Sequence, residues 1–139
     1  MKIEIFTDGG SRGNPGIAGI GAVIKLNNQT RKYSQFLGDY KTNNEAEYQA
    51  LIFALKKVKQ LIGKKLVKEA ILTCYADSEL MVKQLNHQYK LKNEEIKKAF
   101  LEIWNLMLSF KRIEFKHIPR EKNKEADSLA NKAMDERLF

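Results

Sequence analysis

Four carboxylates stand at the ends of predicted secondary-structure elements, where an active site could form. Asp8 closes the first apolar alternation of the chain, and Asp77 follows the later apolar run ILTCYA. Glu47 and Asp127 each fall in the first turn of a predicted helix. Strand ends and helix starts converge in α/β sheets, so these four acids can meet in one place. The chain has 17 acidic residues, and each alone is typical of a surface charge or a helix N-terminus. The set of four is what indicates a site.

Clustered carboxylates suggest a metal centre. They would repel one another and raise one another's pKa unless a cation compensated their charge. Oxygen-only ligands favour Mg²⁺ or Mn²⁺ over zinc, which prefers histidine or cysteine. Two such ions, about 4 Å apart, can stabilise the attacking and leaving oxygens of a phosphodiester displacement.

The charge of the chain is consistent with a nuclease. The net charge is +8 and the pI is near 9.5, which is typical of a protein that binds a polyanion such as nucleic acid. A lysine-rich solvated surface would explain the same charge, so charge alone leaves both interpretations open.

The elements that must position the four acids follow from hydrophobic periodicity. Strands are predicted at residues 2–8, 19–26, 30–37, 69–76 and 112–118. Helices are predicted at residues 44–62, 78–85, 93–110 and from Asn123 onward. The order is therefore βββαβααβα. Short turns between the first three strands predict an antiparallel meander, and helices between the later strands predict parallel crossovers. We expect an α/β fold with a five-stranded mixed sheet and helices on both faces.

Several residues predict helix boundaries or packing. Thr42 and Glu45 have the spacing of a capping box, and Gly63 is a natural stop for the first long helix. Asn123 is a predicted cap for the last helix. Trp104 falls on the apolar stripe of its helix, which predicts a core position.

Length and composition predict one domain, residues 1–139, large enough for a core without metal or disulfide staples. The one cysteine, Cys74, lies in an apolar run and is expected to be a buried thiol, which excludes a disulfide framework. No apolar run approaches membrane-spanning length and no signal peptide precedes the first strand, so we expect a cytoplasmic monomer without a membrane partner. The glycine-rich segment precedes a strand rather than a helix, so it is not a mononucleotide cradle, and no organic cofactor is expected.

Four segments resemble the successive motifs of the type 1 ribonuclease H family. They are TDGGSRGNPG, TNNEAEYQALIFAL, ADSELMVKQL and HIPREKNKEADSLANKA, and they extend over nearly the whole chain in family order. The resemblance implies the ribonuclease H-like fold. It also implies metal-dependent endonucleolytic cleavage of the RNA strand of RNA–DNA hybrids, which leaves 5′-phosphate and 3′-hydroxyl ends.

The same resemblance assigns a role to each acid. Asp8 would bridge two Mg²⁺ or Mn²⁺ ions, and Asp127 would complete the site of the ion that activates the attacking water. Glu47 and Asp77 would hold the ion that stabilises the leaving 3′ oxygen. All four are thus predicted to be both catalytic residues and metal ligands.

The resemblance further implies substrate contacts around the glycine-rich segment. Its backbone would approach the minor groove of the hybrid, where a side chain on Gly9 or Gly10 would hold the ribose away. The predicted substrate-binding residues are Gly9, Gly10, Asn14, Thr42, Asn43, Asn44 and Ser78. Thr42 matches a threonine that binds a DNA-strand phosphate in the family, a role compatible with a helix cap.

The chain departs from the family pattern in two places. Glu79 stands where many relatives have a glutamine, and an ionised carboxylate cannot donate a hydrogen bond to a base or sugar. The tryptophan- and lysine-rich insertion of better-known bacterial relatives is missing between the middle helices, and we expect no separate hybrid-binding module. These features resemble the compact archaeal and bacterial branch, for which double-stranded RNA is a further candidate substrate.

Two other residues are candidates for assisting the reaction without binding metal. His117 lies ten residues before Asp127, which is the family spacing of a flexible histidine that helps activate water or release product. Its phase with Ile113 and Phe115 predicts instead that it completes the packed face of the last strand. Arg120 is the competing candidate, as an electrostatic aid at the phosphate.

Two other functions compete with this interpretation. A catalytically silent module that binds hybrids or double strands would be indicated by a missing carboxylate, but all four are present. A transposase, integrase or junction resolvase on the same fold would usually lack the joint GNPG and TNN motifs.

Overall fold

Within residues 1–138, which the computed structural model describes, five strands form one mixed sheet in the order β3-β2-β1-β4-β5. The strands are β1 (Lys2–Arg12), β2 (Gly16–Leu26), β3 (Gln29–Lys41), β4 (Ile71–Ala76) and β5 (Arg112–His117). The pairs β1–β2 and β2–β3 are antiparallel, whereas β1–β4 and β4–β5 are parallel. The predicted meander followed by parallel crossovers is confirmed.

Helices cover both faces of this sheet. They are α1 (Asn43–Val67), α2 (Glu79–Leu85), α3 (Glu94–Met107) and α4 (Lys124–Leu138), with a 3₁₀ turn at Arg120–Lys122. Helix α1 packs on β1 and β2 and carries α3 on its outer side, while α4 packs on β1, β2 and β3. None of the helices within residues 1–138 is long and apolar enough to cross a membrane. The predicted element order and fold class are confirmed.

The glycine-rich segment is mostly strand rather than loop, which corrects the predicted bounds of β1. Residues Gly9–Arg12 continue the antiparallel ladder by pairing with Ile20–Ile17 of β2. The connection is reduced to residues 13–15, with a cis peptide bond between Asn14 and Pro15. The alternation ends after Phe6, but backbone pairing does not require apolar side chains, so periodicity underestimated the strand.

One predicted helix boundary is confirmed and one needs correction. Gly63 (φ 80°, ψ 169°) leaves the helical conformation, so the first long helix stops there as predicted, and a second helical piece continues to Val67. Asn123 starts α4 only through its backbone carbonyl, which accepts from the amide of Asp127 (3.1 Å). Its side-chain amide donates to the carbonyl of Thr7 (2.9 Å), because the residue is buried between α4 and β1. The predicted capping box of Thr42 and Glu45 is confirmed.

The core prediction for Trp104 is wrong, since 51% of this residue is exposed. Helix α3 packs on one neighbouring helix, α1, and its buried residues are Ile96, Ala99 and Ile103. Trp104 lies about 100° around the helix from Ile103, at the edge of that narrow contact. Cys74 is buried, as predicted, and burial raises the pKa of its thiol.

Two glycines allow helix backbones to touch the sheet. A Cβ atom on Gly9 would lie 2.2 Å from the backbone carbonyl of Ala46 in α1. A Cβ atom on Gly21, which pairs with Asp8, would lie 2.2 Å from the carbonyl oxygen of Ala126 in α4. These distances are far below van der Waals contact, so each helix can sit at its observed depth only above a glycine.

We therefore expect Gly9→Ala and Gly21→Ala to destabilise the protein. A methyl group at either position must displace a helix backbone, and overpacking of this kind costs about 1–3 kcal/mol or more. Urea unfolding followed by circular dichroism measures the loss. Gly38→Ala is the matched control, because its added methyl group meets only the flexible side chain of Lys41 at 3.3 Å. A midpoint for Gly9→Ala equal to that of Gly38→Ala would contradict the packing argument.

Candidate active site

Four elements bring carboxylates to one open cavity of about 420 Å³. Thr7 of β1 pairs with Ala76 of the parallel strand β4. The residues that follow them, Asp8 and Asp77, are therefore neighbours. Glu47 comes from the second turn of α1, and Asp127 from the first turn of α4. Oxygens of Asp8, Glu47 and Asp77 lie within 4.8 Å of one another, and Asp127 lines the same cavity. We call these four residues the acidic pit; the predicted convergence of the four acids is what the structure shows.

Glu47 is fixed in the acidic pit by the strand opposite. Its Oε1 accepts a hydrogen bond from the backbone amide of Gly9 (2.8 Å). This hydrogen bond requires that α1 approach β1 closely at Gly9. The absence of a side chain at Gly9 therefore allows the helix to pack there and also places the carboxylate of Glu47 beside Asp8. Both acids are more than nine-tenths buried.

Burial and mutual repulsion make the acidic pit costly to ionise. Desolvation, followed by the charges of Glu47 and Asp77, raises the pKa of Asp8 to about 10. Desolvation, followed by the charge of Asp77, raises the pKa of Glu47 to about 8, against the opposing hydrogen bond from Gly9. Burial also raises the pKa of Asp77. Near neutral pH the cluster therefore holds protons unless a cation replaces them.

Arg120 supplies positive charge at the rim of the acidic pit. Its guanidinium lies 3.5 Å from Asp127 and lines the cavity, and its charge opposes the rise in the pKa of Asp77. The side chain is 78% exposed, so it can reorient toward a ligand at little cost.

Comparisons with known proteins decide the family. Residues 6–133 match a family model described as reverse transcriptase-like. A bifunctional protein of Mycobacterium tuberculosis is 40% identical over 141 residues, which cover 97% of this chain and 36% of the relative. A ribonuclease H of Dechloromonas aromatica is 31% identical over 152 residues, covering 96% of this chain and 93% of the relative. The chain belongs to the type 1 ribonuclease H family.

A solved ribonuclease H structure agrees with this assignment. LC11 ribonuclease H1, solved in complex with an RNA/DNA hybrid, is 43% identical and has a TM-score of 0.91 over 99% of both chains. The chain spans about a third of the length of the mycobacterial relatives that it matches. The resemblance inferred from the four sequence motifs is confirmed.

Two of the predicted substrate residues, Asn14 and Asn43, join the β1–β2 turn to the start of α1. Asn14 accepts from the backbone amide of Asn43 (2.9 Å), and Asn43 accepts from the amide of Ser11 (2.8 Å). Gly10 and Asn43, like Gly9, line the cavity. The structure therefore gives these residues a structural role beside the acidic pit, and substrate contact stays a prediction.

The remaining predicted substrate residues lie outside the cavity. The side chain of Thr42 caps α1 by accepting from Glu45, and that of Ser78 caps α2 by accepting from Met81. Asn44 lines a second cavity, between the start of α1 and the connection from α2 to α3. Their contacts with substrate also stay predictions.

The predicted reason for a glycine at position 9 needs correction. The missing Cβ points at α1 rather than into the open cavity, so packing of the helix requires this glycine. Gly10 is different, because a Cβ there would lie 3.3 Å from the terminal methyl of Met134, which lines the cavity.

The two residues proposed to assist the reaction differ in position. Arg120 lines the acidic pit, whereas His117 is exposed at the end of β5 and does not line the cavity. The alternative that His117 completes a packed strand face is wrong, since β5 buries Phe115 and leaves His117 in solvent. Glu79 pairs with Lys83 (2.7 Å), and this contact lowers the pKa of Glu79, so its carboxylate can only accept hydrogen bonds.

Sequence reasoning missed two groups of residues at the site. Arg12, Asn131 and Met134 line the cavity beside the acidic pit. Periodicity could have predicted these positions. Arg12 lies on the same side of β1 as Asp8, and Asn131 and Met134 lie one and two helical turns after Asp127. Asn123 was the other omission, because its buried bond to Thr7 fixes the start of α4 next to Asp8.

The raised pKa values predict how stability depends on pH without metal. Below the ordinary pKa values of 3.8 and 4.5, Asp8 and Glu47 are protonated in both the folded and the unfolded state, and the free energy of unfolding is highest. Above these values the unfolded state loses protons that the folded state keeps. The free energy of unfolding therefore falls as the pH rises, until the folded pKa values of about 8 and 10 are passed. At pH 8 Asp8 must take up a proton when the protein folds, because its pKa rises from 3.8 to about 10. Asp8→Asn removes this cost, so we expect it to raise the melting temperature at pH 8. Each kcal/mol of relief corresponds to about 3–5 °C.

Thermal unfolding in EDTA at pH 5.5 and pH 8 measures this effect. Asp39→Asn, an equal charge change on an exposed residue outside the cavity, is the control. Millimolar Mg²⁺ should raise the melting temperature of the wild type and have much less effect on Asp8→Asn. If Asp8→Asn melts no higher than the wild type at pH 8, the repulsion in the acidic pit is not a significant cost.

Proposed function

We propose that this chain is an endoribonuclease that cleaves the RNA strand of RNA–DNA hybrids by phosphodiester hydrolysis, leaving 5′-phosphate and 3′-hydroxyl ends. The observation that carries the proposal is the acidic pit, where the four acids that match the family motifs meet in one cavity. A relative of known structure, LC11 ribonuclease H1, binds an RNA/DNA hybrid and aligns over 99% of both chains.

The acidic pit fits divalent cations. Three carboxylate oxygens within 4.8 Å of one another, on groups that are costly to ionise alone, form an all-oxygen donor set suited to Mg²⁺ or Mn²⁺. Asp8, Glu47, Asp77 and Asp127 would hold two such ions. When bound, the cations polarise the phosphodiester and lower the pKa of coordinated water.

Hydrogen bonds within the chain fix the walls of the cavity in which the phosphodiester would react. The bond between Glu47 and Gly9 holds one wall of the cavity, and the bond between Asn123 and Thr7 holds the other. Arg120, exposed at the rim, can place its guanidinium on a phosphate oxygen. The attacking water gives up a proton to solvent as its oxygen forms a bond to phosphorus. The bond from phosphorus to the 3′ oxygen breaks, and that oxygen takes up a proton from solvent.

Two alternatives carry distinct expectations. A silent binding module would not need a cluster of acids that is costly to ionise, and the raised pKa of Asp8, Glu47 and Asp77 favours an enzyme. The intact GNPG and TNN segments, which hydrogen-bond to each other beside the acidic pit, favour a ribonuclease over a transposase or resolvase.

Double-stranded RNA is proposed as a second substrate.

End-labelled RNA–DNA, RNA–RNA and DNA–DNA duplexes test the proposal, with Mg²⁺, Mn²⁺ or EDTA in parallel. We expect cleavage of the RNA strand of the hybrid with either metal and none in EDTA, and products that ligate through their 5′-phosphates. Asp8→Asn should bind the hybrid and leave it intact. Binding without cleavage by the wild type would indicate the silent module instead, and cleavage of DNA–DNA would indicate the resolvase class.

We expect Arg120→Ala to lower kcat more than His117→Ala does. Arg120 contacts Asp127 and lines the cavity, and loss of one charged group at a phosphate costs up to about 10²-fold. Single-turnover rates measured with melting temperatures separate catalysis from stability. A large loss of kcat in His117→Ala at an unchanged melting temperature would instead assign proton transfer or product release to the histidine.

A further inference from the structure

The cavity continues beyond the acidic pit as a trough between β1 and α4. Asp8, Gly10 and Arg12 lie on the same side of β1, because side chains alternate along a strand. Asn131 and Met134 of α4 form the opposite wall. Gly10 contributes no side chain between Asp8 and Arg12, and the terminal methyl of Met134 lies close above it, 3.3 Å from where a Cβ atom would be.

Arg12 stands at the far end of this trough. Its position four residues after Asp8 puts it about 13 Å along the strand. Its guanidinium pairs with Asp135 (2.5 Å) and lies 3.4 Å from the side-chain oxygen of Asn131. Asn131 is itself oriented, since its amide donates to the carbonyl of Asp127 (3.0 Å). The planar fork of an arginine held in this way suits a phosphate group.

We infer that Arg12 binds a backbone phosphate of the cleaved strand, and that Asp135 holds the guanidinium in place until that phosphate displaces it. This inference rests on the proposed function, because the strand that is cut must lie over the acidic pit. The trough leads from there to Arg12, at most about four nucleotides away at a rise of ~3.4 Å per nucleotide. The ion pair is partly exposed, with side-chain exposures of 36% and 57%, so exchanging Asp135 for a phosphate costs little.

The two partners of the ion pair should then have opposite effects. Arg12→Ala should raise KM for the hybrid about 5–20-fold with little change in kcat, as expected when one charge-assisted contact is lost. It should also make the dependence of log affinity on log salt shallower by about 0.7–0.9. Asp135→Asn frees the guanidinium and should lower KM about two- to fivefold. Arg12→Lys should restore part of the loss.

Matched controls exclude a general effect of charge. Lys32 pairs with Glu125 of α4, and Asp39 pairs with Arg137, both outside the trough. Lys32→Ala and Asp39→Asn therefore repeat the charge changes of the two test variants on the same face of the protein. Melting temperatures of all four variants should stay close to that of the wild type, because exposed ion pairs contribute little to stability.

A neutral methylphosphonate, placed at one position after another along the RNA strand, locates the contact. One substitution should weaken binding to the wild type and have no further effect on Arg12→Ala. The inference is overturned if Arg12→Ala matches Lys32→Ala, if Asp135→Asn weakens binding, or if no position shows this coupling. If the wild type still cleaves the hybrid in these cases, the proposed function holds and only the role of Arg12 is wrong. If the wild type neither binds nor cleaves the hybrid, the proposed function and the role of Arg12 both fail.

Discussion

The direct contact of two helix backbones with glycines of the sheet is the constraint on which the acidic pit depends. Helix α1 touches β1 at Gly9, and α4 touches β2 at Gly21, which is the cross-strand partner of Asp8. Each contact lies next to the helix residue that carries an acid, Glu47 in one case and Asp127 in the other. A methyl group at either glycine would push the helix outward and move its carboxylate with it. The depth of helix packing is therefore what sets the separation of the acids.

This packing brings together charges that oppose folding. Desolvation raises the pKa of Asp8 and of Glu47 far above the ordinary range, so the metal-free protein loses stability as the pH rises. The apolar core on the α1 side of the sheet, which includes Ile5, Leu51 and Leu55, has to offset that loss. A site that is unfavourable when empty is well suited to cations, because their binding relieves the same repulsion. Cation binding and the stability of the metal-free protein are thus in opposition at Asp8, Glu47 and Asp77.

The sequence predicted the order of elements and the four acids, because both depend on local patterns. Asp8 and Asp77 end apolar runs, and parallel pairing of those runs is sufficient to make them neighbours. Features that depend on distant packing were missed or misjudged. Asn123 was predicted as a helix cap from local chemistry, but its side chain bonds to Thr7, 116 residues away in the chain. Trp104 fits an apolar stripe, yet α3 packs mainly on α1, so only a narrow side of the helix is buried. No local pattern records how many neighbours a helix will have.

The polyanionic substrate that we propose would have to approach a cluster of carboxylates, and arginines stand at the edge of that cluster. Among the residues that line it, within the part of the chain described, the cations are Arg12 and Arg120. Each is held by an aspartate of α4, Asp135 or Asp127. The charge of Arg120 also acts on Asp77, where it opposes the rise in pKa that burial causes. A phosphate that displaces Asp135 from Arg12, as we propose, gains a guanidinium and leaves a carboxylate in solvent, which is a nearly balanced exchange at an exposed position. The overall charge of +8 favours attraction of the proposed nucleic-acid substrate from a distance, while local pairing keeps the two arginines oriented beside the acidic pit.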